Sequence, residues 1–348
     1  MKIGIIGCGR ITVKHIDSLN QIEEIEITSL SDLSIERMKQ ATEQISFNKK
    51  PTLYIDYLDL LKSDCDLVLV ATTSGSHADI TEAALLAGKH VLVEKPLALS
   101  LAESKKLIKL ANDSDKKLFI CHQLRFRLIL KEIKALIDSG KLGTIHLGTA
   151  SMALQRPSEY YKAAPWRGTW DQDGGMLINQ GIHLVDLLLW YMGELSEVTG
   201  QLKKLNKHKE TEDIALGLLR FKNGSTGIIE ANAVTWPKNH GYCIKLIADH
   251  GTIILEGRNF DLLTRATIKG EPWSGKDVGA WLEKKDEQEQ MYKEVLKSMQ
   301  GKQNNAVTAQ EAEGALEAIF ALYQSHKQGH STVLPLSSFA TSDMKGVL

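Results

Sequence analysis

Near its amino terminus the chain reads Gly4-Ile5-Ile6-Gly7-Cys8-Gly9-Arg10-Ile11-Thr12, an apolar run that ends in closely spaced glycines. The run predicts a buried strand, and helical spacing follows from Ile11 to Leu19. Gly7 and Gly9 fill the first two positions of the dinucleotide fingerprint G-x-G-x-x-G, where they permit a tight turn and close approach of a pyrophosphate. Thr12 stands at the third position, so the match is incomplete and an ordinary turn is the alternative interpretation.

An acidic residue follows at the distance that a dinucleotide site requires. A second predicted strand, Ile25 to Leu30, ends at Ser31-Asp32, roughly 20 residues beyond the glycines. A carboxylate there accepts hydrogen bonds from the adenosine ribose and repels a 2′-phosphate, so Asp32 favours NAD over NADP. The alternative for Asp32 is a helix N-cap. We expect the pyrophosphate to lie at residues 7–11, which include Arg10 and Ile11.

Strands and helices continue to alternate through the first third of the chain. The remaining strands are predicted at 66–71, 90–93 and 117–122, and the helices at 34–45, 76–88 and 100–111. Continuous apolar strands that alternate with helices predict a doubly wound parallel sheet. After about residue 145 the pattern changes to strands and hairpins, with turns at 222–224 and 249–251, followed by helices at 283–299 and 309–326. We therefore predict an α/β protein with an N-terminal Rossmann domain at 1–123 and a C-terminal α/β domain at 124–348.

Composition excludes several classes of protein. The chain has 348 residues, 24% charged, and a net charge of -1, which gives no field for gathering nucleic acid or anionic membrane. Its longest late apolar run, Ile182 to Met192, contains His183 and Asp186 and is too short to cross a bilayer. Four cysteines are widely spaced. We expect reduced thiols in a cytoplasmic protein, with no zinc site and no disulfide framework.

A lysine follows the predicted strand 90–93 in the tripeptide Glu94-Lys95-Pro96. Ligands of α/β sheets bind at the carboxyl ends of the strands. Lys95 is therefore placed to donate to a substrate hydroxyl and to a developing alkoxide, and a bound nicotinamide cation would lower its pKa. The alternative is a surface lysine before a turn proline.

A second polar motif lies within an apolar helix. Asn179, His183 and Asp186 are spaced i, i+4 and i+7, so the pattern predicts that they share one helix face. Such a polar stripe is costly unless it serves a cavity, and His183 is a candidate general base. The alternative is a core histidine bonded to Asp186. No cysteine or second histidine has the spacing of a zinc site.

Together these motifs resemble the glucose–fructose oxidoreductase/inositol dehydrogenase (Gfo/Idh/MocA) family. The resemblance rests on the glycine fingerprint, Ala71-Thr72-Thr73-Ser74-Gly75-Ser76-His77, Glu94-Lys95-Pro96, and Gly174-Gly175 with the histidine helix. It extends to Glu311, Ala318, Tyr323 and Ser325, and so covers nearly the whole chain. It implies a Rossmann domain followed by a large, mostly antiparallel sheet that often packs against another subunit, as a homodimer or homotetramer.

The family resemblance also implies roles for individual residues. Lys95 and His183 flank the reacting carbon, and the cofactor contacts come from Thr72, Ser74, His77, Glu94 and Gln123 in addition to the glycine loop. Thr73 stands where the family often has Pro, and Asn179 stands where inositol and glucose enzymes usually have Asp. Asn179 cannot be a carboxylate base, so we assign it to substrate positioning and proton transfer to His183.

Within the family the chain looks most similar to the UDP-N-acetylglucosaminuronate 3-dehydrogenase branch. The resembling segments are Gln123-Leu124-Arg125-Phe126 and the stretch from Tyr160 to Trp170. Arg125, Arg156 and Arg167 are candidates for holding a carboxylate or diphosphate, and Tyr160 and Trp166 for stacking on sugar or base. These residues could instead pack a loop. A free sugar or inositol dehydrogenase, and a dinucleotide-binding regulator without catalysis, are the alternative functions.

Overall fold

The structure, a computed structural model, describes residues 1–46, 50–270, 273 and 277–348. It divides into two compact units. The first contains Met1–Phe126 and Asp286–Ala312, and the second contains Arg127–Lys285 and Glu313–Leu348. The division after Phe126 falls three residues beyond the predicted boundary, and the return of residues 286–312 to the first unit was not predicted.

Six strands form the sheet of the first unit: β1 (Lys2–Ile6), β2 (Glu26–Ser31), β3 (Thr52–Tyr54), β4 (Leu67–Val70), β5 (His90–Val93) and β6 (Leu118–Ile120). Their order is β3-β2-β1-β4-β5-β6, and every neighbouring pair is parallel. This order confirms the predicted doubly wound sheet. The direction of winding reverses between β1 and β4, where such sheets bind their ligands.

Five helices connect these strands: α1 (Arg10–Leu19), α2 (Ile35–Glu43), α3 (Tyr57–Leu61), α4 (His77–Leu86) and α5 (Leu101–Asp113). Ser100 caps α5, since its hydroxyl accepts from Glu103 N at 3.2 Å, and it also donates to the Glu103 carboxylate at 2.7 Å. Ser76 stands at the N-cap of α4 but makes no side-chain capping bond. Its hydroxyl donates instead to Thr72 Oγ1 at 2.8 Å, because a 3₁₀ turn over Ser74–Ser76 precedes α4.

The second unit contains an eight-stranded sheet. Its strands are β7 (Ile145–Ala153), β8 (Leu195–Lys203), β9 (Ile214–Phe221), β10 (Thr226–Asn232), β11 (Gly241–Ala248), β12 (Gly251–Gly257), β13 (Leu262–Ile268) and β14 (Thr332–Val333). Their order is β13-β12-β11-β7-β10-β9-β8-β14. Strands β7 and β10 are parallel, and the other described neighbours are antiparallel. Both predicted hairpins, β9–β10 and β11–β12, are confirmed.

Helices cover one face of this sheet and leave the other face open. The side chains along a strand therefore alternate between buried and exposed. The second unit includes the helices α6 (Leu128–Asp138), α7 (Ser158–Lys162), α8 (Ile182–Met192) and α9 (Val278–Glu283), and its sheet also packs against Leu322 of a later helix. In β9 the burial alternates, so that Leu216 and Leu218 are exposed while Ala215 and Leu219 are buried. The outer face of the sheet therefore carries apolar side chains.

The last two helices are α10 (Glu287–Met299) and α11 (Ala309–Gln328). The helix predicted over 283–299 is confirmed as α10, which begins four residues later than expected because a break separates it from α9, which ends at Glu283. The break falls where the chain passes from the second unit to the first. On α10, Met291, Tyr292 and Val295 are buried in the core of the first unit with strands β1 and β4.

Two further expectations concern the whole chain. The part of the chain that the structure describes contains no helix long and apolar enough to cross a membrane. All four cysteines are free; Cys8, Cys65 and Cys121 are buried and Cys243 is half-buried.

Candidate active site

The glycine loop after β1 forms an open cradle. Gly7 has φ +96, and a Cβ there would lie 2.5 Å from Ala71 O, so only glycine fits this turn. Gly9 caps α1 with no side-chain bond, and a Cβ there would meet no described atom within 4 Å. The backbone donors at the start of α1, which include those of Arg10 and Ile11, are therefore available to an anion, as a pyrophosphate requires.

Thr12 explains the departure from the usual fingerprint. Its side chain is buried, and its hydroxyl donates to Gly7 O at 2.6 Å. A glycine or alanine at this third position has no hydroxyl and could not make this bond. Thr12 at the third position therefore adds a hydrogen bond between the start of α1 and the glycine turn.

Asp32 is held at the end of β2 beside the glycine loop. One carboxylate oxygen accepts from Cys8 N and the other from Ser34 N, both at 2.8 Å. The N-cap of α2 is Ser34, which accepts from Arg37 N at 3.3 Å, so the capping alternative for Asp32 does not hold. Arg37 Nη1 lies 3.9 Å from Asp32 Oδ1, which brings one guanidinium near the expected ribose position.

The other predicted cofactor residues also follow strand ends. Thr72 and Ser74 come directly after β4, Glu94 and Lys95 after β5, and Gln123 after β6. The Gln123 Oε1 atom is buried and has no hydrogen-bond partner among the described residues. An orphaned polar atom at this edge, together with the open glycine cradle, fits the binding of a dinucleotide.

His77 is another of the predicted cofactor contacts. It is buried, and its ring nitrogens contact Pro96 O at 2.7 Å and Thr72 O at 3.3 Å. Burial lowers its pKa, which favours the neutral ring. A neutral ring donates only once, and the shorter contact, from Nδ1 to Pro96 O, links His77 to the Glu94-Lys95-Pro96 turn.

In the second unit, the helix that carries Asn179 and His183 differs from the expectation. Residues Leu177–Gly181 form a π-helical turn, and the α-helix begins only at Ile182. The predicted single α-helical face is therefore wrong, because the wider turn rotates Asn179 relative to His183 and Asp186. A Cβ at Gly181 would lie 2.5 Å from Leu177 Cδ1, so a larger residue there would displace the end of the Leu177 side chain.

Asn179 is oriented by a buried carboxylate that the sequence did not single out. Its amide nitrogen donates to Asp173 Oδ1, while Asp173 Oδ2 accepts from Gly168 N at 2.7 Å. The amide oxygen of Asn179 is consequently the acceptor end of the side chain. Asn179 and His183 are half-buried, whereas Asp186 is 2% exposed.

Glu212 is a second functional candidate that sequence reasoning missed. Its Oε1 accepts from Leu177 N at 2.8 Å and from Tyr323 OH at 2.7 Å, so it anchors the start of the π turn. Burial raises its pKa to about 7, against the opposing influence of the Lys209 ammonium. The available signal was the consecutive polar residues Thr211 to Asp213, directly before the apolar strand β9.

Three of the predicted substrate residues form one cluster with Trp166. The Arg167 guanidinium lies 4.1 Å from the ring centre of Tyr160 and 5.3 Å from that of Trp166. The Arg156 guanidinium lies 5.2 Å from the Tyr160 ring centre. Tyr160 OH accepts from Gln180 Nε2 at 3.3 Å, which connects the cluster to the π turn. The tyrosine ring thus stacks with guanidinium groups of its own unit.

Arg125 lies apart from the other predicted substrate residues along the chain, and Arg156 borders a groove. Arg125 lies in the 3₁₀ turn Gln123–Phe126 of the first unit, not in the second unit where the sequence placed it. Arg156 also borders an open groove of about 510 Å³, whose wall includes Lys207, His208 and Trp236. Neither Asn179 nor His183 borders this groove.

Two family models match the chain. Residues 1–122 match the oxidoreductase family with the NAD-binding Rossmann fold, and residues 130–254 match the GFO/IDH/MocA C-terminal domain. The protein is thus an NAD-binding oxidoreductase, and it belongs to the GFO/IDH/MocA family. This confirms the resemblance given by the motifs.

This chain is similar to solved structures over nearly its whole length and to a curated dehydrogenase over about two thirds of it. The WlbA dehydrogenase of Bordetella pertussis, solved with NADH and UDP-GlcNAcA, has TM-score 0.91 and 28% identity over 97% of this chain and 98% of that one. The WlbA dehydrogenase of Chromobacterium violaceum, also with NADH and UDP-GlcNAcA, has TM-score 0.91 and 27% identity over 97% and 96%. Myo-inositol 2-dehydrogenase of Thermotoga maritima is 29% identical over 66% of this chain and 68% of its own length.

Proposed function

We propose that this protein is an NAD-dependent dehydrogenase that oxidises a hydroxyl group of a nucleotide-linked sugar. C3 of a UDP-linked N-acetylated uronic acid is the preferred position. The observation that carries this proposal is the similarity of nearly the whole chain to two dehydrogenases solved with NADH and UDP-GlcNAcA. The guanidinium groups of Arg156 and Arg167 support it, because a uronate and a diphosphate are anions that arginine binds well.

The proposed chemistry divides between two side chains. The Lys95 ammonium donates to the substrate hydroxyl and stabilises the alkoxide that forms as the proton leaves. His183 accepts that proton as general base. Asn179 holds the substrate through its amide oxygen, since its NH₂ group donates to Asp173. Bound NAD+ supplies the hydride acceptor.

A second candidate function within the family is the oxidation of a free polyol. The similarity to a myo-inositol 2-dehydrogenase favours it. Asn179 weighs against it on chemical grounds, because an amide cannot serve as the carboxylate base expected in inositol enzymes. The two candidates differ in whether the substrate must carry a nucleotide.

The test is the absorbance of NADH on mixing purified protein and NAD+ with UDP-GlcNAcA. UDP-GlcNAc, which lacks the carboxylate, and free glucose and myo-inositol are the matched comparisons. Single-turnover conditions are included, because a retained cofactor would hide steady-state activity. Reduction with UDP-GlcNAcA alone supports the proposal, and reduction with myo-inositol alone overturns it.

Variants test the assigned roles in the same assay. Lys95→Ala and His183→Ala should each lower kcat at least about a hundredfold while NAD affinity changes little. Lys39→Ala, which changes an exposed lysine of α2, is the matched control. Full activity in the first two variants would contradict the roles.

We also propose a homo-oligomer that forms through the outer face of the eight-stranded sheet. This face exposes Leu216 and Leu218 of β9 and Ile228 of β10, and Leu218 is paired with Ile228 across the strands. Contiguous exposed apolar side chains mark association surfaces. Light scattering should report a dimer or tetramer, and Leu218→Lys should reduce its mass toward that of one chain.

A further inference from the structure

A buried polar cluster lies behind the Glu94-Lys95 turn of the first unit. His15 of α1 is fully buried, and its Nε2 lies 2.9 Å from Glu94 Oε1. Its Nδ1 lies 2.7 Å from Tyr292 OH and 2.8 Å from Gln288 Nε2. Both ring nitrogens therefore have partners, and one of these partners belongs to the proposed catalytic tripeptide.

The partners determine which nitrogen of His15 carries its proton. Gln288 presents an amide nitrogen to Nδ1, and an amide nitrogen only donates. Nδ1 is therefore an acceptor, and the hydrogen lies on Nε2, where it is donated to the Glu94 carboxylate. In this arrangement α10 contacts Nδ1 through Gln288 and Tyr292 and leaves Nε2 to Glu94.

The same carboxylate connects His15 to Lys95. Glu94 Oε2 accepts from the Lys95 backbone N at 3.2 Å, while Oε1 faces His15. On the other side of Lys95, the Pro96 carbonyl contacts His77 Nδ1 at 2.7 Å. The backbone of Lys95 is thus flanked by two residues that are each held by a buried histidine.

We propose that His15 is a positioning residue for Lys95, acting through Glu94, and that α10 orients His15 for this purpose. The inference rests on the proposed function, because it assumes that Lys95 acts on the substrate. A charge-assisted bond from Nε2–H to Glu94 stabilises one placement of the carboxylate, and through it one placement of the Lys95 backbone. Misplacement of a reacting group by about 1 Å costs about a hundredfold in rate.

A metal site is the competing interpretation of this cluster. One ligand atom each of His15, Glu94 and Cys121 lies within 4.8 Å of the others. Burial, reinforced by the neighbouring Glu94 carboxylate, raises the pKa of the Cys121 thiol well above its ordinary value. A metal would have to displace the proton of the Cys121 thiol, so the metal content of the purified protein distinguishes ligation from hydrogen bonding.

Two isosteric variants separate positioning from simple loss of packing. A glutamine at position 15 can present its NH₂ group near the place of Nε2, whereas an asparagine can present its amide oxygen near the place of Nδ1 but is too short to place a donor near Nε2. We expect His15→Asn to lower kcat at least about tenfold, the cost of one charge-assisted bond of about 1.5 kcal/mol. The KM for NAD should stay within about twofold, and His15→Gln should recover kcat to within about threefold of the wild type. Equal kcat values in the two variants would overturn the proposal.

Two further measurements keep the test decisive. The labelling rate of the Lys95 amine by trinitrobenzenesulfonate, relative to exposed Lys39, is measured by mass spectrometry without substrate. The labelling rate should differ from that of the wild type in His15→Asn but not in His15→Gln. This measurement needs no substrate, so it still tests the positioning of Lys95 if the protein is inactive on every sugar and the proposed function is refuted. If His15→Asn fails to fold, Tyr292→Phe, which removes one donor to Nδ1, should also lower kcat at constant KM for NAD. A stoichiometric metal in the wild type that both His15 variants lose would overturn the proposal in favour of ligation.

Discussion

Replacing Glu212 by Gln should remove a specific pH dependence of stability. The Glu212 carboxyl is fully buried, and its pKa is raised from 4.5 to about 7 by burial. Below the lower value the group is protonated in both the folded and the unfolded chain. As the pH rises from 4.5 to about 7, only the unfolded chain loses the proton, so folding stability falls.

The size of this effect follows from the same two values. A pKa raised from 4.5 to about 7 corresponds to about 3 kcal/mol of stability lost between pH 4.5 and pH 8. In Glu212→Gln the amide oxygen can still accept from Leu177 N and Tyr323 OH, but nothing titrates. The free energy of unfolding of the wild type should therefore fall by about 3 kcal/mol more than that of the variant over this range.

Tryptophan fluorescence is a suitable assay because of where the tryptophans lie. All six belong to the second unit, which also contains Glu212. Trp170 is 1% exposed, and its ring lies 5.4 Å from that of Tyr323, the hydroxyl partner of Glu212. Urea unfolding at pH 5, 6, 7 and 8 thus reports the relevant unit. Parallel pH profiles of the wild type and the variant would refute the reasoning and indicate that Lys209 keeps the carboxylate ionised throughout.

Two other predictions concern the cofactor site. Thr12→Val removes the buried bond to Gly7 O, and a loss of about 1 kcal/mol should weaken NAD binding about fivefold in calorimetry, while Thr12→Ser retains the affinity. Equal affinities in the two variants would contradict the role of the hydroxyl. Asp32→Ser should lower the preference for NAD over NADP at least about tenfold, since the carboxylate that repels a 2′-phosphate is lost and Arg37, now 3.9 Å from Asp32, stays to attract it. Tighter binding of NADP than NAD by the wild type would show that Asp32 does not set the preference.

The fold was predictable where local signals agreed. The continuous apolar strands and the two glycine turns of the second sheet each depend on neighbours within a few residues, and both are confirmed. The break before α10 depends on which core Tyr292 packs into, and that core is built mainly from residues before 127. No local sequence pattern indicates which of the two cores this helix packs into.

The site was predictable only at its motifs. Lys95, His183 and the glycine loop are visible because their chemistry is concentrated in short stretches. His15 looks like an ordinary polar residue of an amphipathic helix, because its partners lie 79 and 277 residues away. The Asp173 and Glu212 carboxylates accept hydrogen bonds from the backbone N–H groups of Gly168 and Leu177. Nearly every residue type has a backbone N–H, so the identity of the donor residue does not indicate such a bond. The π turn was missed because its wider winding is set by tertiary contacts.

The late return of α10 to the first unit has a consequence for synthesis on the ribosome. A nascent chain that has emerged as far as Phe126 contains the whole parallel sheet but lacks Met291, Tyr292 and Val295, which complete its core. Part of the apolar surface of the dinucleotide-binding unit therefore stays uncovered until residues 127–285 of the second unit and then α10 have been translated. Since Tyr292 also orients His15, the nascent protein would acquire the buried support of Glu94 only at that late stage.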